Sequence, residues 1–222
     1  MRYLSDFQLN LIKGISHSRI LNSFLGGSAA VVLHNLDLLS RPVHDLDFVT
    51  LSTLPAHDFK DRLYALAESL NPAAKVREIY KDSSGVFEMD DERVLARTFV
   101  FRNKENEEIL VDFFFPKPKA AFLNTKRVKL NLPNTSTRPP VVSILSLPSI
   151  IKAKIDYINS TLYRENSLKH IRDLIYMGHP DGCKFLVSYL YLADVPTKSN
   201  IKGKPPLIEK PEGYDLDDKL PW

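Results

Sequence analysis

Cysteine is nearly missing from this sequence. Only one of its 222 residues is a cysteine, Cys183, which excludes an intramolecular disulfide framework and points to a reducing compartment. The expected state of that lone thiol is a small, partly buried side chain. Also missing is any apolar run long enough to span a bilayer, and the start Met1-Arg2-Tyr3-Leu4-Ser5-Asp6 is too polar for a secretory signal. The expectation is a cytoplasmic protein with no membrane partner. There are no internal repeats. A strong charge of one sign is missing too: 30 basic residues against 27 acidic ones leave +3, which permits a nucleic-acid partner without demanding one. The histidines show no zinc-type spacing, so His17, His34 and His44 read as structural or solvent-exposed.

What remains is an ordinary globular composition, 44% hydrophobic and 26% charged, ample for a real core in one large domain or two small ones. Apolar spacing predicts an amphipathic helix over residues 3–22, capped by Ser5 or Asp6, and a second over 56–70 that begins after Pro55 and ends at Asn71-Pro72. Strands are expected at 75–81, 92–101 and 109–115, the last two paired as a hairpin across the polar turn at 104–107. Residues 116–145 are basic and proline-marked, with Lys117, Lys119, Lys126, Arg127, Lys129 and Arg138; the strand that begins at Arg127 is either a phosphate-contacting face or a solvated edge guarded by lysines. Helices follow at 147–158, 167–177 and 181–192, joined by short connections as in a small bundle. The organisation expected is a sheet domain over 1–145, a helical bundle over 146–194 and an extended tail over 195–222, with Trp222 free to dock on the body or a partner.

The chemistry is concentrated early. Leu25-Gly26-Gly27-Ser28 reads as a tight turn into a short helix ending near Leu39, with Ser28 as its N-cap. A helix start with free amides suits phosphate. Arg41 then precedes a strand carrying Asp45 and Asp47, whose side chains share a face while Leu46 and Phe48 turn into a core. Adjacent carboxylates repel unless cations neutralise them, and hard divalent cations prefer such oxygens. A phosphate cradle beside a carboxylate pair describes a site for a metal-bound nucleoside triphosphate. Asp112 interrupts the apolar strand Ile109-Leu110-Val111-Asp112-Phe113-Phe114-Phe115; such a carboxylate needs a cation, a hydrogen-bond network or a proton, unless it merely faces a strand edge before Pro116. Arg41 is open between holding phosphate and pairing at the surface with Asp45 or Asp37.

The run from Leu25 through Gly26, Gly27 and Ser28 to Arg41, Asp45 and Asp47 resembles the core motif of the DNA polymerase β-type nucleotidyltransferases, and within them the AbiEii branch of type IV toxin–antitoxin and MenT-like toxins. That branch usually has threonine where Ser28 stands. The resemblance implies an α+β fold with a mixed sheet flanked by helices and a C-terminal helical bundle. It implies Mg²⁺ (or Mn²⁺) held by Asp45, Asp47 and Asp112, and a nucleoside triphosphate held by Gly26, Gly27, Ser28, Arg41, Lys154 and Asp173, with Lys152 an alternative register for Lys154. Asp173 is implied as a polar anchor or general base; a plain Lys154–Asp173 salt bridge is the other reading of that pair. The implied reaction moves a nucleotidyl group from the triphosphate to a hydroxyl, on tRNA or other RNA for a toxin with a cognate antitoxin. The alternatives are a small-molecule, antibiotic-type nucleotidyltransferase and a non-catalytic nucleotide-binding module of the same fold.

Overall fold

A chain whose strands carry apolar residues at every second position must cover one face of its sheet, and here three N-terminal helices do so. In the computed structural model the described residues are 4–35, 39, 41–70, 73–79, 86–89, 92–115, 124–130, 132, 139–160 and 167–194. The elements are α1 (Asp6–His17), β1 (Ser23–Leu25), α2 (Gly27–His34), β2 (Asp45–Thr50), α3 (Ala56–Ser69), β3 (Lys75–Ile79), β4 (Val86–Met89), β5 (Glu92–Arg102), β6 (Glu108–Phe115), β7 (Thr125–Lys129), β8 (Val141–Leu145), α4 (Leu147–Ser160), α5 (Ser167–Tyr176) and α6 (Pro180–Asp194). The strands form one mixed sheet in the order β3-β5-β6-β2-β1-β8-β7, with β4 on the outer side of β5. β2 runs parallel to β6 and antiparallel to β1, and β1 runs parallel to β8.

One face of β2, β5 and β6 is aromatic. Phe48 stacks on Phe113 at 5.6 Å, and Phe59 of α3 meets Phe113 and Phe115 edge-on at 5.1 Å each. Leu46 and Phe48 are fully buried, as the alternation requires. Each such side chain contributes roughly 1.5–3 kcal/mol by leaving water. A second cluster holds Ile158, Ile171 and Leu174 from α4 and α5, with Phe185, Leu186 and Tyr189 of α6 against it.

Several expectations need correction. The first helix ends at His17, so Ile20 and Leu21 lie beyond it. Its cap is Ser5, whose hydroxyl accepts from the Gln8 amide at 3.1 Å while the Gln8 side chain returns the bond at 2.8 Å. Gln8 also donates to the Val43 carbonyl at 2.8 Å, tying α1 to the loop before β2. β4 and β8 were not foreseen. Cys183 is exposed on α6, not partly buried. Lys117, Lys119, Arg138, Asp37, Trp222 and the tail lie outside the described residues. Among those described, no helix is long and apolar enough to cross a membrane.

Candidate functional site

The other face of β2 and β6 carries the acids. Register places Asp47 directly opposite Asp112, and Asp45 opposite Leu110. Asp112 is therefore on an interior strand, between β5 and β2, and not at a strand edge. All three acids are half-buried. Burial first, then the charges of Asp45 and Asp112, push the Asp47 carboxyl up to about 7 from an ordinary 3.8, against the pull of Lys154 and Lys169. Asp45 lies 3.7 Å from the Lys169 ammonium. Asp112 accepts a hydrogen bond from the Thr98 hydroxyl on β5. Among the described residues no three carboxylates, histidines or cysteines converge tightly enough to form a ready-made metal cage. Asp45 instead leans on a lysine and Asp112 on a hydroxyl.

The glycine turn abuts the same acids. The Gly26 amide donates to the Asp47 carbonyl at 2.7 Å. Gly27 has φ +56, and a Cβ there would stand 1.8 Å from Asp47 Oδ2. Only glycine satisfies both the left-handed backbone and that approach. The helix cap is Gly26, with no side-chain bond, and not Ser28 as its position suggested. Ser28 lies within the first turn of α2, buried. Its hydroxyl accepts from Arg41 Nη2 at 2.7 Å and donates to Asp173 Oδ2 at 3.3 Å.

Asp173 gathers the basic residues. Arg41 reaches it through Nε at 3.1 Å and Nη2 at 3.0 Å, a two-pronged contact, and Lys154 Nζ reaches Oδ2 at 2.8 Å. Lys154 and Asp173 are both buried. Burial works against the Asp173 charge, but Lys154 and Arg41 outweigh it and hold the carboxyl below its usual range. A carboxylate so held is an anchor and a poor proton acceptor. Among the described residues Arg41 thus pairs with Asp173 and not with Asp45, and the Lys154–Asp173 salt bridge is present. Lys152 instead pairs with Asp156 one turn along α4.

Three residues escaped the sequence reading. Lys169 faces Asp45 from α5, one turn before Asp173. His170, next to it, is pushed down to about 2 by burial and by the charges of Lys154, Lys169 and Arg41. It therefore stays neutral; its ring lies 4.4 Å from Tyr157, and its Nδ1 has no hydrogen-bond partner among the described residues. Thr98 was findable, because the hairpin pairs Arg102 with Glu108 and the same register sets Thr98 opposite Asp112. β7 is the terminal strand of the sheet, and Lys126, Arg127 and Lys129 are exposed on it.

No family model matches this chain, and no curated protein matches it. Among solved structures, the chain is similar to the crystal structure of an antigenic nucleotidyltransferase-like protein from Paracoccidioides brasiliensis. The likeness has 17% sequence identity and a TM-score of 0.45, and covers 85% of this chain and 86% of that one.

Proposed function

We propose that this chain is a metal-dependent nucleotidyltransferase that moves a nucleoside monophosphate from a nucleoside triphosphate to a hydroxyl acceptor, RNA and in particular tRNA, as an AbiEii-like toxin. One observation carries the reading: Asp47 and Asp112 stand opposite each other on adjacent strands, with the Gly27 turn pressed against the Asp47 carboxylate. The donor set fits a hard divalent cation. It offers carboxylate oxygens, and Asp47, raised first by burial and then by the charges of Asp45 and Asp112, is a group whose ionised form a bound cation would favour. Asp45, Asp47 and Asp112 would hold Mg²⁺ or Mn²⁺, which supplies Lewis-acid polarisation of the phosphates when bound.

The protein's own part is positioning and charge. The start of α2, with amides that have no carbonyl one turn earlier, receives the triphosphate tail. Arg41 and Lys154, fixed by Asp173, add positive charge beside it. Lys169, more exposed than either, reaches the mouth of the site. The acceptor oxygen bonds to the α-phosphorus, the bond from that phosphorus to the bridging oxygen breaks, and pyrophosphate departs. The acceptor proton passes to Asp112. RNA is favoured as acceptor by the exposed Lys126, Arg127 and Lys129 on the sheet edge.

The test is incubation of the protein with each labelled triphosphate, Mg²⁺ and total RNA. Labelled RNA is expected, and Asp45→Asn or Asp47→Asn should abolish it. Labelled small alcohols in its place would favour the antibiotic-type transferase. Absence of any transfer, with triphosphate still bound, would favour a non-catalytic module; the commitment of Arg41 and Lys154 to Asp173 is the observation on that side. Growth arrest on expression, relieved by a co-expressed partner, tests the toxin and antitoxin roles separately.

A further inference from the structure

Thr98 is a buried polar side chain that the reaction above leaves unused. It is 6% exposed, in the middle of β5, beside the buried Phe99 and Val100. A buried hydroxyl costs stability unless it is bonded, and valine has nearly the same shape without the cost. The hydroxyl here is bonded, and its acceptor is Oδ1 of Asp112. Register pairs Thr98 with Asp112 and Asp112 with Asp47, so the three lie in one row across β5, β6 and β2. The turn that donates to the Asp47 carbonyl continues that row. The end torsion of an aspartate is broad and soft, so a free carboxylate rotates easily. A donor fixed on the neighbouring strand narrows that freedom for the oxygen it holds.

We propose that Thr98 is a positioning residue for Asp112: its hydroxyl holds one carboxylate oxygen and so fixes the orientation in which Asp112 joins Asp47 in receiving a divalent cation. The inference rests on the metal-binding reading of the acids. Partners of metal-ligating groups are commonly worth 10- to 100-fold in metal affinity. The effect belongs to the hydroxyl and acts only through Asp112.

The experiment measures Mn²⁺ uptake by the full chain, from the free-ion electron paramagnetic resonance signal, for wild type, Thr98→Val, Thr98→Ser, Asp112→Asn and the Thr98→Val/Asp112→Asn double variant. Thr98→Val is expected to bind Mn²⁺ about tenfold more weakly, and Thr98→Ser to stay within about threefold of wild type. Thr98→Val should add no further loss to Asp112→Asn. If Asp112→Asn weakens binding but Thr98→Val does not, the inference falls and the metal reading stands. It falls in the same way if Thr98→Val weakens binding equally with and without Asp112. If wild type takes up no more Mn²⁺ than Asp112→Asn, both fall together.

Discussion

Gly27 and Gly178 both have left-handed backbones, at φ +56 and +69, yet alanine should treat them differently. At Gly178, just past α5, a Cβ meets nothing within 4 Å among the described residues, so Gly178→Ala should cost only the backbone penalty of roughly 1–2 kcal/mol. At Gly27 the Cβ meets the Asp47 carboxylate as well. Gly27→Ala should unfold at clearly lower denaturant and also lose triphosphate binding; equal midpoints for the two variants would contradict the contact. Asp47 itself makes a pH prediction for metal-free protein. Its folded value, about 7, lies above its unfolded 3.8, so the folded state favours the protonated acid. That contribution is full below about 4 and is lost as pH rises through 7. His170 works the opposite way, its folded value lowered from 6.5, so the wild-type slope alone is ambiguous. The difference is not: Asp47→Asn should gain on wild type from pH 4 to 7 and level off above, in melting curves recorded with a chelator. A constant gap would remove the assignment.

At the scale of elements, α5 is fastened to the start of the chain by one buried carboxylate. Asp173→Ala would leave Lys154 buried without its partner, a loss of about 3–5 kcal/mol in denaturant unfolding. Replacing Lys154 as well, as Lys154→Met with Asp173→Leu, should recover the share that belongs to the buried Lys154 but not the share that belongs to Arg41, which then lacks its acceptor, whereas a purely local role for Asp173 predicts no recovery. How far the elements were legible follows from the same physics. Alternation gave β2 and β6, because Leu46 and Phe48 share one face and Asp45 and Asp47 the other. Phe59 and Leu63 marked the buried side of α3. β8 stayed hidden: Val141 to Leu145 is a five-residue run inside a basic, proline-rich stretch, and its partner β1 has only three residues. Ser28 misled because a serine before an apolar run normally caps, whereas here the backbone turns two residues earlier. The partners of Asp173 come from α2, α4 and the loop holding Arg41, distances in sequence that no local pattern encodes.

Over the whole molecule, the sheet is two assemblies meeting at a narrow strip. β2, β6 and β5 pair over five to eight residues each, while β1 and β8 share a single register pair, Leu25 with Ile144. Local opening should follow that division. In native-state hydrogen exchange, amides of the exposed edge strand β7 should exchange much faster than those of β2 and β6, which should track global unfolding; uniform protection would contradict it. The Asp173 anchor carries a consequence for synthesis. Arg41 and Ser28 leave the ribosome early and the carboxylate that fixes them leaves late, on α5. A nascent chain that has delivered β8 has its acids on paired strands but its arginine held by Ser28 without Asp173, so the cluster is complete only once α5 has emerged. A chain cut short before Asp173 would lack that late fastening altogether.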